Sequence, residues 1–420
     1  TLGAGGQTVV GGGGADTVDV GTHNATGRID LSVDQGADSL DVVELGTGRD
    51  LSLATLVGVD QLRLVNTDAA VTVSAGQLGI DVVDAGAGAD TVSVVGQVGG
   101  SGAQVMIDAQ IDVLQLGSTN DRVTLGAGGQ TVVGGGGADT VVVGSLVATG
   151  RIDLGVANDA ADLLDVVGIA HGADISQATL EGVEILVVGG PSGDAAVTVS
   201  AGQLAMSADS VDGVVAEAQV GVLKVSVVNG GLSSYTIDSD IDVLKLDNQA
   251  NSVRLSAANL AQTVVGGTGA DVVRMVSGAM GTIDLGPSTG DTVVVSAGES
   301  IHGATLKGVD VLRLEGSGDV VVTVDADHLN TAAESVGVVQ KADPSAKAVL
   351  DVVGALTDYT IHSGIDRLVL DDMANSVRLS AANLAQSVVG GAAGDTVGMV
   401  HNTTGRIDLG VGADSLDVVV

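Results

Sequence analysis

The sequence predicts an all-β fold: an elongated parallel β-helix or β-roll solenoid built from tandem repeats. Three observations predict it. A unit of 123 to 132 residues recurs three times with a partial fourth copy, at 1–123, 124–252, 253–376 and 377–420. Within a unit, short aliphatic runs come about every ten residues and are separated by Gly, Asp, Asn or Thr, which is strand and turn chemistry at solenoid spacing. The apolar content is Val, Leu, Ile and Ala, with no Phe, Trp or Cys, so the core must be narrow. Rows of Val and Leu suit two sheets held close together.

In the first unit the runs fall at 8–10, 17–20, 28–31, 39–43, 50–53, 60–65, 70–74, 80–84, 91–95, 104–107, 112–116 and 122–125. The first is Thr8-Val-Val between Gln7 and Gly11; the second, Thr17-Val-Asp-Val, ends on Gly21; the third, Arg28-Ile-Asp-Leu, follows Gly27. The later ones, such as Ala70-Val-Thr-Val-Ser and Thr91-Val-Ser-Val-Val, alternate small or polar with aliphatic residues, as a strand with one buried face requires. Two strands per coil of roughly 20 residues, at about 4.8 Å per coil, give a rod rather than a globule. Ala54-Thr-Leu-Val, Ala178-Thr-Leu-Glu and Ala257-Ala-Asn-Leu-Ala-Gln compete as helix but are too short for more than a turn, and they are expected to be corners between coils.

The landmarks of the repeat keep their order. Leu2 to Val18 recurs at Leu125 to Val141, and Gln262 to Asp271 and Gln386 to Asp395 carry looser copies. Ile29-Asp-Leu returns at Ile152, Ile283 and Ile407; Gly58-Val-Asp returns as Gly182-Val-Glu and Gly308-Val-Asp. Val73-Ser-Ala-Gly-Gln-Leu78 returns at Val199 and, as Val324-Asp-Ala-Asp-His-Leu329, once more. Both ends fall inside a unit, so the chain reads as an excerpt of a longer array.

Acids outnumber bases, 52 to 16, for a formal charge of -36, and nearly all the acids are Asp. Disordered acidic chains lack this much Val, Leu and Ile. So large an excess opposes a compact state unless counter-ions neutralise it, and it makes nucleic acid and anionic membranes poor partners. No apolar run is long enough to span a membrane. The absence of cysteine fits a bacterial protein secreted without disulfides.

The chemistry that can be placed is calcium binding. The phrase Gly-Gly-x-Gly-x-Asp-x-aliphatic occurs at Gly11, Gly12, Gly14 and Asp16, at Gly134, Gly135, Gly137 and Asp139, and at Gly266, Gly267, Gly269 and Asp271. Glycines permit the turns that let backbone carbonyls converge, and one short carboxylate completes an oxygen cage for a hard cation. A Gly-rich loop ending in Asp is also simply a good tight turn, its side chain bonded to its own backbone. Partial phrases at Gly86 to Asp90, Gly36 to Asp38, Gly290 to Asp291 and Gly412 to Asp414 add weaker candidates.

Enzymatic chemistry finds little support, because the six histidines are scattered and no nucleophile elbow, zinc signature or P-loop is present. Arg28, Arg151 and Arg406 share a repeat position before Ile-Asp-Leu; either an internal ion pair or a contact between molecules accounts for them. Asn24-Ala-Thr and Asn402-Thr-Thr have the form of glycosylation sequons. Scattered threonines raise ice binding but do not persist in rows.

The nonapeptides, mixed with Gly58-Val-Asp-Gln-Leu-Arg-Leu, Gly182-Val-Glu-Ile-Leu-Val-Val and Gly308-Val-Asp-Val-Leu-Arg-Leu, resemble the repeats-in-toxin (RTX) surface-layer proteins and large adhesins of Gram-negative bacteria. In the RTX β-roll, calcium sits between equivalent loops one turn apart, so the resemblance implies paired Asp residues about 18 apart. Asp121 and Asp139 have that spacing, with Gln130 halfway between on the opposite edge; Asn251 with Asp271 and Asn375 with Asp395 are 20 apart, and an amide in place of a carboxylate weakens those sites. The resemblance also implies type I secretion and calcium-triggered folding outside the cell. The expected function is therefore a non-enzymatic, calcium-stabilised building block of a bacterial surface layer, sheath or filament. Its partners would be copies of itself, with cell-surface polysaccharide as another. The alternatives are the stalk of a large RTX adhesin and, less favoured, the calcium-binding accessory region of a secreted enzyme.

Overall fold

The computed structural model describes residues 1–3, 5–32, 40–65, 67–84, 88–100, 104–155, 164–190, 193–204, 213–330 and 336–419. The chain divides into two compact units, Thr1–Gly221 and Val222–Val420. Each is a parallel β-solenoid in which most coils contribute one strand to each of two sides, while the coil at 42–57 places Val42–Leu45, Arg49–Asp50 and Thr55–Val57 in three different sheets.

In the first unit one sheet runs Arg49–Asp50, Ala70–Ser74, Thr91–Val95, Val113–Gln115, Thr131–Val133, Arg151–Asp153 and Thr179–Glu181, every neighbour parallel. The facing sheet runs Val105–Met106, Arg122–Thr124, Thr140–Gly144, Val166–Ala170, Ile185–Gly189 and Gly213–Ala216. Strands are short because each spans only one side of a coil. In most of them a central Val, Leu or Ile points inward between two half-exposed neighbours, so register stacks Val92, Leu114, Val132, Ile152 and Leu180 into one buried row. Val123, Val141, Val167 and Leu186 form the corresponding row of the other sheet. Burying one such side chain contributes about 1.5–3 kcal/mol, and the rows repeat this coil after coil. Towards the start of the unit Leu45, Leu62 and Leu64 meet Val71, Val73 and Val92 from the other sheet, so the core is one layer of aliphatic side chains thick there.

The second unit repeats the plan. Val243–Lys245, Thr263–Val265, Thr282–Asp284 and Thr305–Lys307 pair in parallel on one side, with Asp319–Asp325, Lys347–Val353, Arg367–Val369, Ser387–Val389 and Ile407–Asp408 forming a further sheet. Tyr235–Thr236, Ser252–Arg254, Val272–Arg274, Thr292–Ser296, Val311–Glu315 and Val338–Lys341 make another, followed by Tyr359–Thr360, Ser376–Arg378, Thr396–Val400 and Ser415–Val419.

Two of the three segments expected to be corners are strands. Thr55–Val57 pairs with Arg28–Asp30, and Thr179–Glu181 pairs with Arg151–Asp153, because Leu56 and Leu180 continue the inward rows of Ile29 and Ile152. Residues 257–262 do form a turn. The run expected at 50–53 is instead Arg49–Asp50, since Asp50 Oδ1 accepts the Ser52 N–H (2.8 Å) and ends the strand in a turn.

Candidate functional site

A backbone N–H at the mouth of each coil lies just before the strand that opens the next side, and an acidic or amide side chain from the following coil reaches back to it. From the end of the first repeat into the second, Val98 N–H donates to Asp121 Oδ1 (2.6 Å), Asp121 N–H to Asp139 Oδ1 (2.9 Å), Asp139 N–H to Asp165 Oδ1 (2.6 Å) and Asp165 N–H to Glu184 Oε2 (2.7 Å). The third repeat matches it: Leu232 N–H meets Asn251 Oδ1, Asn251 N–H meets Asp271 Oδ1, Asp271 N–H meets Asp291 Oδ1 and Asp291 N–H meets Asp310 Oδ2. Asn375, Asp395 and Asp414 repeat the row, and Asp16 N–H to Asp41 Oδ1 and Asp41 N–H to Asp60 Oδ2 give its counterpart in the first repeat. Asp90 has the same role, accepting from Ala69 N–H (2.6 Å) and donating its own N–H to Asp112.

The structure therefore brings together Asp121 with Asp139, Asn251 with Asp271 and Asn375 with Asp395, as the spacing required. It places them inside the wall, where Asp90, Asp139, Asp271 and Asp395 are fully buried. The members that sequence reasoning passed over are Asp41, Asp60, Asp112, Asp165, Glu184 and Asp310. For Asp60, Glu184 and Asp310 the signal was present in the Gly-Val-Asp and Gly-Val-Glu phrases, whose acid ends the row.

The glycines explain why the aspartate can turn inward. A Cβ on Gly11, Gly134, Gly266 or Gly390 would meet Oδ2 of Asp16, Asp139, Asp271 or Asp395 respectively, so the carboxylate folds over the bare Cα. Gly137 and Gly269 back onto the carbonyls of Thr119 and Gln249 in the preceding coil, Gly14 turns with φ +97, and Gly267 lies against Asp247. The second glycine then divides the repeats. Gly12, Gly267 and Gly391 donate their N–H to the aspartate Oδ2 at 2.8, 3.3 and 3.1 Å. Gly135 instead adopts φ +95 and packs on Gly117.

Asp139 thereby loses a donor, and the row that crosses from the first repeat into the second holds two uncompensated oxygens. Asp121 Oδ2 and Asp139 Oδ2 are buried and accept no hydrogen bond. Burial pushes the Asp139 carboxyl up to about 7, with the neighbouring Asp165 and Asp121 charges adding to it and the Asp121 N–H opposing it. In the two corresponding rows relief comes from two donors: Asn251 Nδ2 donates to Asp271 Oδ1 (2.9 Å) and Asn375 Nδ2 to Asp395 Oδ1 (3.1 Å), and the Gly267 and Gly391 N–H groups take the Oδ2 atoms. Asp271 is still raised, by burial first, with the Asn251 bonds lowering it. The donor set thus accepts a cation between Asp121 and Asp139, where two acceptor-only oxygens lack partners, and disfavours one beside Asn251 or Asn375, where N–H groups point in. Among the described residues no three acidic or histidine side chains converge as a metal cluster, so backbone carbonyls would have to supply most of a calcium shell. Gly36 to Asp38 lies outside the described residues, as do Gly86 and Ala87.

On the other edge a buried amide staples coils together. Gln130 Nε2 donates to the carbonyls of Asp108 (2.7 Å) and Ile111 (2.8 Å), while its Oε1 accepts Gly126 and Ala127 N–H groups. Gln77, Gln203, Gln262 and Gln386 do the same in their coils, and His328 takes the place with Nε2 on Ala304 O and Nδ1 accepting Asp325 N–H. The recurring Ser-Ala-Gly-Gln-Leu phrase was the visible trace of this role.

The arginines at the shared repeat position are ion-paired within the chain: Arg28 with Asp30 (2.7 Å), Arg151 with Asp153 (2.7 Å) and Glu181, and Arg406 with Asp408 (2.7 Å). The chain matches no protein-family model, no curated protein and no solved structure.

Proposed function

We propose that the chain is a non-enzymatic structural element of an extracellular bacterial array, a surface layer, sheath or filament, in which calcium ties coils of the solenoid together. Support comes from one observation: the buried polar side chains are spent on joining one coil to the next, through the Asp/Asn rows on one edge and the Gln staples on the other. Such a wall is stiffened along its length by every unit added. The resemblance of the glycine-aspartate phrases to RTX repeats supplies the extracellular, type I-secreted setting.

Calcium has its best seat between Asp121 and Asp139. Asp121 and Asp139 would hold the ion, which would supply positive charge to two buried carboxylates whose Oδ1 atoms stay on the backbone N–H groups. The test is electron microscopy of the purified protein in millimolar calcium and in chelator. A regular lattice or fibre formed with calcium is the expected result. Isolated monomers that never assemble in millimolar calcium would favour the adhesin stalk instead.

A further inference from the structure

One turn of the second unit departs from its counterparts. The strand Val220–Val228 pairs with Val243–Lys245 so that Ser226 stands beside Lys245, as Ser93 stands beside Gln115 and Asp351 beside Val369. A glycine closes the turn after each of these strands. Gly96 follows Ser93 by three residues and Gly354 follows Asp351 by three, whereas Gly230 follows Ser226 by four. The extra residue is Asn229. It takes the left-handed conformation (φ +59), which asparagine tolerates, and Gly230 then turns with φ +141, against +96 and +95 at Gly96 and Gly354. Gly230 still gives its N–H to Asp247 Oδ2 (3.1 Å), as Gly354 gives its own to Asp371 Oδ2 (2.7 Å), so the insertion is absorbed in the turn and the coil-to-coil bond is kept.

The lengthened turn borders a cleft of about 590 Å³, whose polar lining is Ser226, Asn229, Lys245, Asp247, Asn248 and Gln249. Asp247 is spent on the Gly230 and Gln249 N–H groups, and Asn248 Oδ1 on the Thr268 N–H. The Ser226 hydroxyl, the Lys245 ammonium, the Asn248 amide nitrogen and the side-chain amides of Asn229 and Gln249 have no hydrogen bond or ion pair among the described residues. The counterparts are built differently. In the first repeat the Ser93 hydroxyl donates to Gln115 Oε1 (3.0 Å), so the two close on each other. In the last copy the places of Ser226, Lys245, Asn248 and Gln249 are held by Asp351, Val369, Asp372 and Met373, which leaves no cation and only one neutral polar position fewer than an open site needs.

We propose that this cleft binds a sugar carrying a single carboxylate, a hexuronate unit within an otherwise neutral glycan. Lys245 takes the carboxylate. The amides of Asn229, Asn248 and Gln249, with the Ser226 hydroxyl, take the ring hydroxyls, since hydroxyl groups both donate and accept and the lining offers both. The cleft has the volume of small-molecule sites, and the inserted Asn229 brings to it a side chain that the shorter turns lack. A long polyanion is a poorer ligand, because the chain's charge of -36 repels it beyond the reach of one ammonium, whereas a single carboxylate needs only that one. The site goes beyond the assembly reading and does not depend on it.

The experiment is a ligand-observed NMR titration with cellobiouronic acid, a disaccharide with one carboxylate, and with its neutral twin cellobiose, in millimolar calcium, with circular dichroism confirming that each chain is folded. The parent should bind the acid at least ~10-fold more tightly than the neutral sugar. Lys245→Gln, which copies the side chain of Gln115, should bring the acid down to the affinity of cellobiose and leave cellobiose itself unchanged. Deletion of Asn229, which restores the turn length found before Gly96 and Gly354, should weaken both sugars at least ~10-fold. A parent that binds neither sugar at millimolar concentration overturns the proposal, and so does one that binds the two equally. Binding of the acid that survives both changes would place the sugar elsewhere on the chain, and the proposal fails.

Discussion

Asp139 Oδ1 accepts the backbone N–H of Asp121, eighteen residues earlier in the chain, at 2.9 Å, while Oδ2 of both residues is buried without a hydrogen bond. One atom of each carboxylate thus holds the wall together and the other is left as an acceptor with nothing to accept. In the corresponding rows further along, an asparagine stands in place of Asp121 and gives its amide N–H to Oδ1 of the next aspartate, whose Oδ2 takes the N–H of Gly267 or Gly391.

Asp121→Asn should therefore give this row the amide that Asn251 and Asn375 supply in theirs. In chelator the variant is expected to be more stable than the parent by on the order of 1–2 kcal/mol, because the amide keeps the Val98 bond and removes one of two facing charges. In millimolar calcium it should gain less than the parent gains. Urea unfolding with and without calcium measures both; equal calcium increments in parent and variant would remove Asp121 from the site.

The Gln130 staple satisfies two carbonyls and two N–H groups at once, all inside the wall. Gln130→Leu keeps the volume and takes the amide from all four, leaving the Asp108 carbonyl only the Ile111 N–H, so a loss of roughly 3–5 kcal/mol is expected. Thermal or urea unfolding reads it, and a loss below about 1 kcal/mol would mean that water replaces the amide there.

Gly134→Ala should be far worse than Gly129→Ala. At Gly134 a Cβ would run into Asp139 Oδ2 and sit 3.1 Å from the Leu154 backbone, so either the carboxylate or the coil must move, at a cost of about 2–3 kcal/mol. At Gly129 the nearest atom is 4.0 Å away, and alanine there should fall within ~0.5 kcal/mol of the parent. Matching midpoints for the two variants would show that the aspartate does not pack over Gly134.

His328 sets an acid limit. It is 3 % exposed, with Nδ1 accepting the Asp325 N–H and Nε2 on the Ala304 carbonyl, an arrangement that requires the neutral ring. Burial pushes its pKa below the usual 6.5, against the opposing pull of the Ala304 carbonyl and of Asp325 and Asp327, with His302 adding a small push downward. With the folded value depressed, the unfolded chain binds the proton first, so stability is full above pH 6.5 and is lost as pH falls through that value towards the folded one. His328→Gln, which installs the residue found at Gln77 and Gln203, should flatten this slope, so that less stability is lost between pH 6.5 and pH 5. His362, also depressed by burial, should leave a residual slope. Unfolding midpoints measured from pH 5 to 8 decide it, and parallel curves for parent and variant would count against His328 as the titrating group.

By itself the sequence determined the two-sheet, two-strand coil. Its causes are local: an inward Val, Leu or Ile between half-exposed neighbours, with Gly and Asp turns setting where each side ends. It also determined the spacing that brings Asp121 to Asp139 and Asn251 to Asp271, since stacking coils of fixed length aligns whatever recurs at that length. Only the tertiary structure decided what those side chains do, because each bond joins residues one coil apart. Thr55–Val57 became strand because Ile29 of the preceding coil offered Leu56 a row to continue. The clearest case is the phrase Gly-Gly-Gly-Gly-Ala-Asp, identical at Gly11 and Gly134. Gly12 has open space around it and gives its N–H to Asp16, whereas Gly135 backs onto the Gly117 carbonyl, turns to φ +95, and leaves Asp139 Oδ2 without a donor. Identical local sequence met different neighbouring coils, and the neighbours chose which aspartate keeps an uncompensated charge.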